Sequence, residues 1–88
     1  MKKPNSSSGY WVREQEETEW KDASPYVKYS YGKFYDEEDV ATAYLNYLHD
    51  EKDPEINECY IEVLNKEDKI STFRAYTVPS ISYYADQL

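Results

Sequence analysis

The sequence predicts a small α+β fold, an antiparallel sheet of two hairpins in ββαββ order with one amphipathic helix packed on one face. Three observations predict it. Val40, Tyr44 and Tyr47 recur at helical spacing, and Ala41, Leu45 and Leu48 widen the same apolar stripe. ECYIEVL (58–64) alternates Cys59, Ile61 and Val63 against Tyr60 and Glu62, the period of a strand with one covered face. ISTFRAYTV (70–78), rich in β-branched and aromatic residues, follows after the polar loop NKEDK, as a hairpin partner would.

The remaining elements are read in chain order. Residues 1–9, with Pro4, Asn5, three serines and Gly9, have nothing to bury and are expected as a disordered tail. Residues 10–88 are expected as one domain, since a chain of 88 residues is too short to divide its core. YWVREQEETEW (10–20) has apolar ends and a charged middle, which fits an edge strand. KDASP (21–25) carries turn chemistry in Asp22, Ser24 and Pro25. YVKYSYGKFY (26–35) alternates Val27, Tyr29 and Tyr31 against Lys28 and Ser30, and is expected to close the first hairpin as a strand. Asp36 is placed to cap the helix, with Glu37, Glu38 and Asp39 at its positive dipole end. Thr42, Asn46 and His49 face outward, and the helix is expected to stop near Asp50, ahead of Pro54. Beyond Pro79, a short strand, a helical turn and a tail fit SISYYADQL equally well.

Eleven Tyr, two Trp and two Phe supply much of the apolar area of what must be a thin core. The single cysteine, Cys59, suits a reducing compartment, and MKKPNSSSG has no apolar stretch behind its lysines, so a cytoplasmic protein is expected. No run approaches the roughly 18 apolar residues of a membrane helix.

Catalytic chemistry finds little material here. The lone histidine, His49, is expected to partner the last helix carbonyls or the C-terminal dipole, and Cys59 reads as a small apolar strand residue. DEKDPE (50–55) packs oxygens closely, yet Lys52 sits where a calcium-loop ligand belongs, Pro54 stiffens the chain and no glycine permits the turn. The two glycines, Gly9 and Gly32, make no phosphate loop. No enzyme, metal or cofactor is expected. Lys28 and Lys33 lie among tyrosines, but two lysines beside Glu14, Glu16, Glu17 and Glu19 are no footprint for direct nucleic-acid binding.

The net charge of −8 is the main functional clue, because it is segregated. Residues 36–58 hold nine of the eighteen acids against one cation, Lys52, and the rest of the chain balances. Such a chain is repelled by nucleic-acid phosphates and anionic membranes and attracts a basic surface. Helix capping accounts for the front of the segment. It does not account for Asp50, Glu51 and Asp53 near the negative dipole end, or for Glu55 and Glu58 after them. A helix from 36 to 50 spans about 22 Å, so carboxylates at both ends, continued by the first strand, could imitate a run of phosphates. The candidate partner-binding residues are therefore Asp50, Glu51, Asp53, Glu55, Glu58, Glu38, Asp39, Glu16 and Glu19. In size, charge and absent chemistry the chain resembles the small acidic nucleic-acid mimics with which phages block restriction or CRISPR nucleases, although no stretch aligns with one. That resemblance implies a non-enzymatic inhibitor of a basic, nucleic-acid-binding protein, acting in the host cytoplasm. The alternative is an ordinary small interaction or regulatory domain, homodimeric through an open sheet edge, whose acidity serves solubility.

Overall fold

A computed structural model describes residues 3–30 and 32–77, and the reading of residues 79–88 lies outside them. The fold is α+β. A four-stranded antiparallel sheet in the order β2-β1-β3-β4 is built from β1 (Trp11–Glu14), β2 (Lys21–Asp22), β3 (Glu58–Leu64) and β4 (Ile70–Tyr76). One main helix, α1 (Glu37–Tyr47), packs on one face, so the ββαββ order holds.

The helix forms as its sequence dictates. Asp36 is the N-cap, its Oδ1 accepting the Asp39 N–H at 3.0 Å. Val40, Ala41, Tyr44, Leu45 and Leu48 are buried against Val12, Ile61, Val63 and Ala75 of the sheet. After Tyr47 the chain widens into one π turn, Leu48–Lys52, in which the Asp53 N–H reaches back five residues to the Leu48 carbonyl at 2.8 Å. β3 keeps the predicted alternation up to Val63; Leu64 lies under the other face of the sheet with Trp11 and Trp20.

Two strand assignments need correction. Residues 26–30 and 32–35 do not form a strand: Ser24–Tyr29 is a 3-10 helix, and β1 pairs on this side with the two-residue β2. Pro25 stands in the first turn of that helix, and Asp22 Oδ1 accepts from both the Ser24 N–H (2.9 Å) and its hydroxyl (2.7 Å), turning the chain out of the sheet. Tyr26 then sets its ring edge-on to Tyr44 (centroids 4.9 Å apart) and tilted against Tyr47 (4.7 Å), contacts the 3-10 helix brings about. β1, in turn, is no edge strand, because β3 pairs along its whole length on the side away from β2.

Residues 3–9, composed like a tail, follow a bonded path across the second face. Trp11 Nε1 donates to the Pro4 carbonyl at 2.5 Å, and Lys3 lies over the Trp11 ring and pairs with Asp68 at 2.6 Å. The Ser8 N–H donates to Ser24 Oγ at 3.0 Å. Gly9 is buried at φ +80°, a conformation that strains any L side chain, so the backbone calls for glycine, while the Lys66 side chain that lies over it could swing aside.

Candidate functional site

The two ends of α1 do different things with their carboxylates. At the N-terminal end, Asp36 caps the helix and Asp39 Oδ2 accepts the Tyr35 N–H at 2.8 Å. Glu37 is half-buried in a cleft with Tyr10, Phe34 and Lys66. Of the candidates at this end, Asp39 thus has a folding role, and only Glu38 is exposed without a polar partner among the described residues.

At the C-terminal end the π turn brings the post-helix loop against the turn that joins β1 to β2. The two meet around an open cleft of about 490 Å³ lined by Glu14, Glu17 and Lys21 from the hairpin and by Tyr44, Tyr47, Leu48, Lys52 and Ile56 from the helix side. The start of β3 lies beside the same hairpin: the Gln15 N–H donates to the Tyr60 carbonyl at 3.1 Å, and Cys59 Sγ stands 3.7 Å from Glu14 Oε1. The hairpin turn that carries Glu16 and Glu19 and the segment that carries Asp50 to Glu58 therefore border one cleft. Glu38 and Asp39 lie at the other end of α1, separated by its 11 residues, or roughly 16 Å.

Within the C-terminal end the candidates divide again. Asp53 Oδ1 accepts the Glu55 N–H at 3.0 Å and shapes the loop. Glu51 accepts the Tyr29 hydroxyl at 2.6 Å, and that bond pushes the Tyr29 phenol up to about 12. Glu58 pairs with Arg74 across the β3–β4 ladder, which raises the Arg74 guanidinium further. Asp50, Glu55, Glu16 and Glu19 are exposed and form no hydrogen bond or ion pair through their side chains among the described residues. These four have no folding role in the described structure.

A half-buried polar cluster lines this cleft, and the sequence reading missed it. Lys21 Nζ bonds the Tyr44 hydroxyl, pairs with Glu17 Oε1 at 3.0 Å and lies 4.5 Å from the centre of the Tyr44 ring. Burial pushes the Tyr44 phenol up to about 12, and the Lys21 contact only partly offsets it. Burial would lower the Lys21 ammonium, but its bonds to Tyr44 and Glu17 outweigh that and hold it above its ordinary value. Burial would likewise raise Glu17, yet the Glu14 N–H and Lys21 bring it below the usual carboxylate range. The only signal in the sequence was the recurrence of Tyr26, Tyr44 and Tyr47, whose convergence depends on the 3-10 helix.

His49 sits at the helix end as expected, with Nδ1 2.8 Å from the Ile56 carbonyl. A carbonyl only accepts, so Nδ1 carries the proton and the ring ties the π turn to the loop. The Cys59 thiol is half-buried and raised, first by burial and then by Glu14, the opposite of what a nucleophile needs. Among the described residues no group of three or more His, Cys, Asp or Glu could hold a metal ion, and no helix is long and apolar enough to cross a membrane. Comparison with protein-family models, curated proteins and solved structures found no match, so the functional reading rests on this chain's own residues.

Proposed function

We propose that the chain is a non-enzymatic inhibitor that presents its acidic C-terminal helix end to a basic, nucleic-acid-binding protein and competes there with DNA or RNA. One observation carries the reading. The hairpin that carries Glu16 and Glu19 and the post-helix segment that carries Asp50 and Glu55 border one cleft, and these four acids are exposed and without hydrogen-bond or ion-pair partners among the described residues. Exposed acids at the negative end of a helix dipole cost stability, and a protein that retains them has a use for their field. The neighbouring Tyr29 and Tyr47 rings, 5.9 Å apart, offer the amphipathic surface that anchors protein interfaces.

The test is the ionic-strength dependence of the complex formed with a partner captured from the source cell or its infected host. The complex is expected to weaken steeply with added salt and to be displaced by duplex DNA. A complex that is indifferent to salt and binds DNA at the same time contradicts the proposal. The second reading, a small interaction domain acting through a sheet edge, is favoured by one separate feature, the outer edge of β4.

A further inference from the structure

We infer that the outer edge of β4 is a self-association surface, on which a second copy of this chain pairs antiparallel about Phe73. β4 ends the sheet, and among the described residues nothing pairs with its outer side. The direction of its backbone groups follows from the ladder. The Asn65 N–H donates to the Lys69 carbonyl and the Thr77 N–H to the Asn57 carbonyl, both at 3.1 Å, so the pairs flanking the β3–β4 register are hydrogen-bonded ones. Bonded and non-bonded pairs alternate in an antiparallel ladder. Ser71, Phe73 and Ala75 therefore bond to β3, while the backbone N–H and C=O groups of Ile70, Thr72, Arg74 and Tyr76 point outward.

Those outward groups fit a second copy in one register better than in any other. Centred on Phe73, Ile70 stands opposite the other copy's Tyr76 and Thr72 opposite its Arg74, which uses all four outward residues and makes about eight hydrogen bonds. A register centred on Arg74 would set two guanidinium groups directly opposite each other, and one centred on Thr72 would leave Tyr76 without a partner. The favoured register also covers Ile70 and Tyr76, which are 45% and 53% exposed and are two of the four large exposed apolar side chains among the described residues. Each then meets the other type across the two-fold axis, the self-complementarity an isologous interface requires.

Charge permits the same arrangement. In a chain of net charge −8, β4 is the one element of the sheet without an acid, whereas β1, β2 and β3 each carry at least one. Its only charge, Arg74, is already paired with Glu58 on its own β3. Antiparallel pairing sets the Glu58 end of one copy beside the other's Asn65–Lys69 turn, where two lysines balance two acids, so the acidic ends point apart. The product is an eight-stranded sheet with both helices on one face.

Sedimentation equilibrium of the full chain across roughly a hundredfold concentration range decides the matter. The wild type is expected to show a monomer–dimer equilibrium. Thr72→Pro removes an outward N–H that β3 does not use, so it should give a monomer with an unchanged far-UV spectrum. Thr72→Lys keeps the strand's hydrogen bonds and separates the two roles should the proline disturb the fold. The new lysine faces Glu62 on its own β3 and should leave thermal stability equal or higher. It also faces the other copy's Arg74, and because the two-fold axis applies that repulsion twice, association should weaken roughly tenfold. A wild type that stays monomeric throughout, its edge taken by the residues after Thr77 or reserved for a different protein, overturns the inference. So does a dimer that Thr72→Lys leaves intact.

Discussion

The two ends of α1 carry similar numbers of carboxylates and use them in opposite ways. At the N-terminal end Asp36 and Asp39 accept backbone N–H groups and the dipole favours their charge. At the C-terminal end Asp50 and Glu55 accept nothing through their side chains and oppose the dipole, and Glu16 and Glu19 lie on a hairpin that borders the same cleft. The difference teaches that an acidic run in a sequence is not one feature. Part of it belongs to folding, and only the remainder is available for another molecule.

The sharpest way to break this comparison is to reverse charge at one end and then at the other. Replacing Asp50, Glu55, Glu16 and Glu19 by lysine is expected to weaken binding to a basic partner by on the order of a hundredfold, whereas Glu38→Lys leaves it nearly unchanged. Equal losses from the two ends, measured by titration calorimetry, would merge them into one surface.

Alkaline titration examines what holds the C-terminal end in place. Tyr44 has a phenol raised in the folded state from 10.0 to about 12. A raised group contributes stability that is complete below its unfolded value, and this contribution is lost as pH climbs from 10 toward 12. Lys21, also raised, adds a loss of the same sign. Unfolding by urea should therefore become easier through this window, by on the order of 2 kcal/mol. In Tyr44→Phe the alkaline loss should shrink to what the other raised groups, Lys21, Tyr29, Tyr26, Tyr10 and Cys59, contribute; an unaltered loss would remove Tyr44 from the account.

The stability differences between the ends are smaller. Asp36→Ala should cost about 1 kcal/mol in urea denaturation, because it orphans the Asp39 N–H at the first turn. Glu55→Lys should instead stabilise by a few tenths of a kcal/mol, since it places a cation where the dipole is negative. A loss on Glu55→Lys would mean that this carboxylate has a folding role after all.

Much of the fold was legible because its patterns are local. Val40, Tyr44 and Leu48 share a stripe at helical spacing, Asp36 is a strong cap residue, and Cys59, Ile61 and Val63 alternate as a half-covered strand must. The stretch after Lys21 misled because alternating aromatics suit a strand and a 3-10 helix alike. Pro25 and the Asp22–Ser24 turn decided between them, together with ring contacts to Tyr44 and Tyr47 some twenty residues away. The candidate site was legible as composition and not as arrangement. Glu16 and Glu19 could be suspected, but that their hairpin lies against the start of β3 depends on β1 pairing with β3 across nearly fifty residues. The β3–β4 pairing sets Glu58 beside Arg74, and a local turn engages Asp53, folding partners that charge alone does not reveal.

The most direct measurement of the central claim is competition for the captured partner between duplex DNA and two forms of the chain, the wild type and the variant with lysine at Asp50, Glu55, Glu16 and Glu19. The wild type is expected to displace DNA, and the variant, with its far-UV spectrum and urea midpoint preserved or improved, is expected to displace none. A folded variant that displaces DNA as well as the wild type does would contradict the claim that this end of the molecule is the binding surface.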